Sequence, residues 1–420
     1  MVAPLVVGAI VVRVLYLVVI VSGRPPASDA DQYLDIARHV RAGEGFVMQW
    51  PQLRVHATAF RPPAYPALLG AWMRVFGESV TAARCLNLVL GVVVVVATFA
   101  LVRRLRGDRA GLVAGGLVCV YPPLLANDAT TLAEPLALVL LLAVVWAAMD
   151  RRWWLAGVTA GLLTLTKPSA QGFVAMLVVL AFVLAFRERS GGPWIRRALV
   201  ASATVLATAA VVVVPWIVRN QVELGTTSVV TSNGFNLMAI YGDVARERGT
   251  FVDIVGDPAY QSMHFRLLRL DEGQWNDELT RRALSQIREH PGYVASTVGN
   301  NLRYWFELSP GRNDIPESQD GRDVDFRHLT LPLFYPVTVL GLAGLGVALA
   351  RPGRPGRPGA RLAVLLLVLS ALYATATSLV LVAPPRLRAP FDLACCIGVG
   401  LLVAELPGTG QGCRRGLPLR

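Results

Sequence analysis

The chain has 420 residues, of which 54% are hydrophobic and only 16% charged, with a mean hydropathy of +0.51. A soluble domain of this size carries roughly 25% charged residues, so the composition excludes a water-soluble globular protein. The formal charge of +12 does not signal nucleic acid, because the arginines gather in alternate short connectors between apolar stretches, which is a topological pattern.

Ten apolar stretches follow one another, at about 2–21, 79–102, 109–126, 131–149, 153–166, 170–186, 197–218, 329–350, 361–382 and 388–405. A helix needs about 20 apolar residues to cross a hydrocarbon core of ~30 Å. The fifth stretch is short and is expected to run through protein. Ten-residue alternating segments of the barrel kind are absent, so the predicted fold class is all-α, a polytopic membrane protein of about ten spans. Arg103-Arg104-Leu105-Arg106, Asp150-Arg151-Arg152, the connectors 187–197 and 351–361, and Arg414-Arg415 mark one side as cytoplasmic. Both termini are then inside, and two long loops, 22–78 and 219–328, face out. The first stretch lacks a small-residue cleavage site and contains Arg13, so it reads as an uncleaved span. Three parts are expected: a seven-span core over 1–218, the outer loop 219–328, and a three-span group over 329–420. The last part carries an extended Arg-Pro-Gly linker at 351–359. Cys85, Cys119, Cys395 and Cys396 lie within spans and Cys413 in the tail, a spacing that gives neither a disulfide framework nor a metal site.

The outer loops carry helical patterns. Ser28 can cap a helix that Gly43 ends, with Tyr33, Ile36, Ala37 and Val40 at helical spacing. A second helix is predicted from Pro62 to about Phe76, and a third from Pro291, presenting Val294, Val298, Leu302, Trp305 and Phe306 to the bilayer interface. Asp29 stands four residues before Tyr33 and seven before Ile36, on what reads as the membrane-facing stripe. It either supports the helix start through the dipole or works as a base. Asp31 lies on the other face with Asp35 and Arg38. Arg61, before Pro62-Pro63, sits at a helix N-terminus, where anions are favoured; it either holds a phosphate or snorkels at the bilayer surface. Glu134, after Asp128, is an acid just inside a span, a placement that is costly and usually functional. Lys167 is the single lysine among 40 basic residues and needs a partner, either Glu134 or an anionic ligand. Arg13, mid-span, is expected to pair with protein. Arg219, Arg386 and Arg388 converge on the same outer face.

The ordered set Asp29-Ala-Asp-Gln-Tyr33, Gly43-Glu-Gly-Phe46, Arg61-Pro-Pro-Ala-Tyr-Pro66, Tyr121-Pro-Pro123 and Glu134-Pro135 resembles the bacterial GT-C glycosyltransferases of family 39. These are the protein-mannosyltransferase and aminoarabinose-transferase-like enzymes. The resemblance continues through Leu165-Thr-Lys-Pro168, Pro215-Trp-Ile-Val-Arg-Asn220, Ser232-Asn-Gly-Phe-Asn236 and Pro385-Arg-Leu-Arg-Ala-Pro390. It implies a plasma (inner) membrane transferase that moves a sugar from a polyprenyl-phosphate donor to an extracytoplasmic glycan, lipid or protein acceptor. Asp29 would be the catalytic base and Arg61 the phosphate contact. Lys167, Arg386 and Arg388 would join Arg61 at the phosphate, while Glu134, Asp31, Tyr33, Asp128 and Arg219 would orient substrate. Ala30 follows Asp29 where many relatives have Glu. No metal ligand set is apparent, so no cofactor is expected and a divalent metal is not indicated. The competing classes are a transporter or flippase for a lipid-linked anion, which would place polar groups on both sides of the midplane, and a structural subunit of an envelope assembly, which would need no convergent charges.

Overall fold

The computed structural model describes residues 2–49, 54–187, 194–351 and 359–406. The linker residues 352–358 and the tail with Cys413, Arg414 and Arg415 fall outside that range. The first span is α1 (Val2–Leu15), drawn out by a π-helical turn, Tyr16–Ile20. The first outer loop holds α2 (Asp29–Ala42), a two-residue hairpin of β1 (Val47–Met48) with β2 (His56–Ala57), and α3 (Ala64–Phe76). The apolar helices α4 (Val80–Arg106), α5 (Asp108–Val120), α6 (Pro122–Asp128), α7 (Glu134–Met149), α8 (Trp153–Thr164), α9 (Gln171–Arg187) and α10 (Trp194–Leu224) follow. The second outer loop folds as α11 (Asn233–Tyr241), α12 (Asp243–Arg248), α13 (Pro258–Leu267), α14 (Glu272–Glu289), α15 (Pro291–Trp305), α16 (Asp314–Gln319) and α17 (Val324–Thr330). The chain returns to the apolar layer as α18 (Phe334–Ala350), α19 (Ala360–Val380) and α20 (Ala389–Val403).

Each of the ten apolar stretches falls on helix. Among the described residues, five helical segments are long and apolar enough to cross a membrane: Val2–Ile20, Val80–Arg106, Trp194–Leu224, Val324–Ala350 and Ala360–Val380. A sixth span is possible if α5 and α6, bent by 60° at Tyr121, count as one. The shorter α7 and α8 are largely wrapped by neighbours, α8 lying between α7 and α10. Lipid-facing surfaces stand out as bare valines: Val19 on the first span and Val211 on α10 are 70% and 74% exposed. The protein is therefore a multi-pass membrane protein.

One apolar core joins the early and late helices, with α20 packed on α5 and α19 on α7. The C-terminal helices are thus built into the bundle. Small residues set the tightest contact. Where α18 crosses α20, a Cβ on Gly341 would stand 2.6 Å from Cys395 Cα, so only glycine lets the two backbones meet. Gly344 and Gly398 face each other in the same crossing. At the end of the bundle opposite the outer loops, Arg104 bonds Asp150, while Arg106 and Arg351 both pair with Glu405. The Arg-rich connectors are therefore tied to one another at that end.

Two expectations for the outer loops change. The residue before α2 is Ser28, but it sits at φ 53 and its side chain makes no cap bond; Gly43 does end the helix in the left-handed region. The stripe of Tyr33 and Ile36 faces protein and not lipid: α3 and the start of α4 cover Tyr33, while Ile36 sits in the apolar cluster of Met48, Phe60 and Trp275. Trp305 likewise leaves the predicted interfacial face of α15. It is fully buried, edge-on to Phe391 of α20, while Leu302 stays exposed.

Gly398→Leu should cost at least about 1–3 kcal/mol through overpacking at the α18–α20 crossing. The loss would appear as a lowered melting temperature in detergent. Gly346→Ala, on the open side of α18, should leave that temperature unchanged.

Candidate active site

The outer ends of several helices converge, and local backbone bonds explain how. The N–H of Ala64, at the start of α3, donates to the carbonyl of Leu165 at 3.0 Å. That bond places Arg61-Pro62-Pro63 beside Leu165-Thr166-Lys167. Asn87 of α4 donates to the carbonyls of Thr130 and Leu132, both at 2.8 Å, fixing the segment that leads into Glu134. The 3₁₀ turn Pro385–Arg388 caps α20. With three residues per turn, residues two apart point in different directions, which sends Arg386 toward α2 and Arg388 into the core.

Asp29 is the centre of the convergence. Its two oxygens accept separately from Arg61 and from Arg386. Arg61 also donates from Nε to Gln32 at 2.7 Å and lies over the rings of Phe60 (5.1 Å) and Tyr33 (5.8 Å). Tyr33 is buried edge-on against Tyr65 at 5.2 Å and supports the guanidinium from below. Burial alone would raise the Asp29 pKa, but the Arg386 and Arg61 guanidiniums, with Lys167 beyond them, hold its carboxyl well below the usual carboxylate range. Lys167 donates to Glu134 at 2.6 Å, and the other Glu134 oxygen is buried without a hydrogen-bond partner. Asp320, from the second outer loop, approaches Arg386 Nε at 3.0 Å. The cluster thus sets Arg61, Lys167 and Arg386 against Asp29, Glu134 and Asp320.

Four predicted site residues lie elsewhere. Asp128 is buried in an ion pair with Arg13 at 2.7 Å, so its carboxylate serves the mid-span arginine and not a substrate. Gly91 leaves room for that pair, since a Cβ there would come within 2.6 Å of Arg13 Nε. Arg388 is 1% exposed, pairs with Asp392 at 3.2 Å and donates to the Trp305 carbonyl at 2.7 Å, which leaves it facing the core. Arg219 donates to the carbonyls of Thr58 (2.8 Å) and Phe46 (2.9 Å), clamping the first loop. Asp31 is exposed on the solvent side of α2.

Gln32 and Asp320 join the cluster although neither is among the candidates named from the sequence. Gln32 has one legible signal, its place three residues after Asp29 on the same helix face. Asp320 has none, because it arrives from a loop nearly 300 residues away. A further buried acid, Glu272 at the start of α14, binds the segment just before Arg61. It accepts from His56 Nε2 (2.8 Å), Thr58 Oγ1 (2.7 Å), the Ala59 N–H (2.8 Å) and the Thr231 hydroxyl.

Among the described residues no three His, Cys, Asp or Glu side chains are grouped to hold a metal. The donor set also does not fit one, because both Asp29 oxygens are occupied by guanidiniums and Arg386 lies between Asp29 and Asp320.

The fold is shared with an archaeal oligosaccharyltransferase. The chain is similar to the oligosaccharyltransferase of Archaeoglobus fulgidus in its apo form, with a TM-score of 0.56, 12% identity and coverage of 96% of this chain and 50% of that one. It is also similar to that organism's AglB in complex with an inhibitory peptide and a dolichol-phosphate (TM-score 0.53, 14% identity, 96% and 50% coverage). The chain therefore spans about half the length of these enzymes. The model of the family described as dolichyl-phosphate-mannose-protein mannosyltransferase matches residues 60–218, which hold Arg61, Glu134 and Lys167. A search of curated proteins finds no match.

Glu272→Ala would leave two hydroxyls, an N–H and His56 without their acceptor, and should cost about 3–5 kcal/mol in thermal unfolding. Burial pulls His56 down, but its bond to Glu272, its bond to the Arg54 carbonyl and the Glu272 charge together outweigh this and raise it above 6.5. Protonated His56 therefore contributes its full stability below pH 6.5, and the contribution is lost as pH rises through the folded-state value. The stability gap between wild type and His56→Gln should be largest below pH 6.5 and shrink above it.

Proposed function

We propose that the protein is a glycosyltransferase that moves a sugar from a polyprenyl-phosphate donor to an extracytoplasmic hydroxyl, with inversion at C1. The observation that carries this reading is the clamp on Asp29: one carboxylate held between Arg61 and Arg386 at the outer edge of the bundle, with Lys167 beside it. Three cations at a membrane edge suit a lipid phosphate, and the likeness to a dolichol-phosphate-binding enzyme supports the same ligand class.

The chemistry follows from the geometry. As the bond between C1 and the phosphate oxygen breaks, its electron pair moves onto the phosphate, and charge builds where the guanidiniums and the ammonium can stabilise it. A phosphate seated between Arg61 and Arg386 takes over the partners that hold Asp29. Freed of both, Asp29 becomes a stronger base and accepts the proton of the incoming hydroxyl as its oxygen joins C1. Without donor, both Asp29 oxygens stay paired with the two guanidiniums, so the base is released only when a phosphate is seated. Tyr33 and Gln32 orient Arg61, and Glu134 orients Lys167. The acceptor is a glycan, lipid or protein hydroxyl, and the second outer loop is the surface available to select it.

The site lies at the end of the bundle opposite the tied arginine connectors. With those connectors cytoplasmic, the site faces outward from a plasma (inner) membrane and both termini lie inside. The three-part division at 218 and 328 describes chain segments that share this one site, since Arg386 of the last part reaches Asp29 of the first.

Membranes containing wild type, Asp29→Asn or Arg61→Ala, incubated with labelled polyprenyl-phosphate sugars, should release polyprenyl phosphate and labelled product only with wild type. Losing one stabilising donor should lower turnover about 10²–10³-fold. Equal turnover by Asp29→Asn would remove that residue as the base. Transbilayer movement of the lipid without turnover of any donor would establish a flippase instead.

A further inference from the structure

Asp320 is a carboxylate that the motifs do not predict and the proposed transfer does not use. Its side chain is 5% exposed, and its Oδ2 lies 3.0 Å from Arg386 Nε. The two atoms are misaligned, so both remain buried without a hydrogen-bond partner. Arg386 spends its aligned bond on Asp29. Asp320 is therefore an anion beside a cation that is committed elsewhere.

Its placement is built and not incidental. The segment 317–326 straps the second outer loop onto the first span and first loop. Arg322 donates to Glu317 at 2.7 Å and to the Pro123 carbonyl at 3.2 Å. Asp323 pairs with Arg24, and Phe326 stands edge-on to Tyr16 at 4.9 Å. The Asp320 N–H donates to the Pro316 carbonyl at 2.9 Å, ending the short α16.

We infer that Asp320 couples proton uptake to the binding of a phosphate head group at Arg386, because the phosphate and the Asp320 carboxylate compete for one guanidinium. The inference rests on the reading that Arg386 receives the lipid phosphate. The groups facing Asp320 are Arg386 on the 3₁₀ turn, Asp29 on α2, Glu134 on α7 and Glu317 on its own strap. Burial raises Asp320, Arg386 opposes the rise, and the three acids add to it, bringing the group to about 7. A phosphate that draws off Arg386 removes the opposing pull and adds a fourth anion. Asp320 then takes a proton, and the cluster exchanges a buried carboxylate for the ligand's charge. Asp29 starts far below neutrality in the unliganded site, so the release that carries Asp320 past neutrality leaves Asp29 a stronger base that is still ionised at pH 7.5.

The test is calorimetric binding of a farnesyl phosphodiester to the full chain in detergent. A diester is used because a phosphate monoester has its own ionisation near pH 6. At pH 7.5, in buffers of different ionisation enthalpy, wild type should take up a fraction of a proton on binding. Its affinity should fall about tenfold from pH 6.5 to 8.5. Asp320→Asn should bind without proton uptake and with little pH dependence, and more tightly than wild type at pH 8.5. Binding by wild type with no proton uptake overturns the inference whether or not the variant folds, and leaves the donor reading intact. Proton uptake that persists in a monodisperse Asp320→Asn protein also overturns it. No binding by wild type at any pH overturns both the inference and the donor reading.

Discussion

An ionised carboxylate at the rim of a bilayer needs cationic partners, and Asp29 draws its two from opposite ends of the chain. Arg61 follows it by 32 residues and Arg386 by 357. Burying this cluster is costly unless charges balance and hydrogen bonds are made, and much of the outer architecture serves that balance. Asn87 holds the backbone before Glu134, the Ala64–Leu165 bond sets Arg61 beside Lys167, and the 3₁₀ turn aims Arg386.

The second outer loop is more than a cover. Glu272 gathers four donors from the hairpin strand, the residues after it, and the α10–α11 connection, and so fixes the backbone two residues from Arg61. Arg219 grips the same stretch from the end of α10 through two carbonyls. The strap around Asp320 closes the opposite flank by reaching Arg24 and Tyr16. The first loop is therefore held on both sides by a loop that begins about 200 residues later, with its charged groups inside.

Most of the architecture is legible in the sequence because the bilayer imposes a simple rule: apolar stretches become helices and arginines collect at one end. The helices around Asp29 and Arg61 are legible from spacing and from their terminators, Gly43 and the Pro62-Pro63 pair. Asp29, Arg61, Glu134 and Lys167 stand out because each is a charge at the same apolar edge, and the structure brings all four together. What is illegible is direction. Arg386 and Arg388 look equivalent in a string, and only the pitch of a 3₁₀ turn separates the one at the rim from the one in the core. Asp128 reads as an outer-edge acid, yet a partner 115 residues earlier takes it into the bundle. The stripe of α2 reads as lipid-facing because amphipathicity does not say what covers it; here α3, the start of α4 and the second outer loop do. Asp320 carries no local signal at all.

The close fit of α18 on α20 has a consequence for how the protein is made. Ribosomal synthesis delivers Asp29 357 residues before Arg386, and Arg386 reaches the rim only when α18 and α20 have entered the bundle and their glycines have met. Until then Asp29 has Arg61 as its guanidinium partner, with Gln32 holding that arginine and Lys167 beyond it. The enzyme-like site is thus a late product of membrane insertion. A chain made only as far as α17 holds Asp29, Arg61, Glu134, Lys167 and Asp320 but lacks the arginine that closes the cluster.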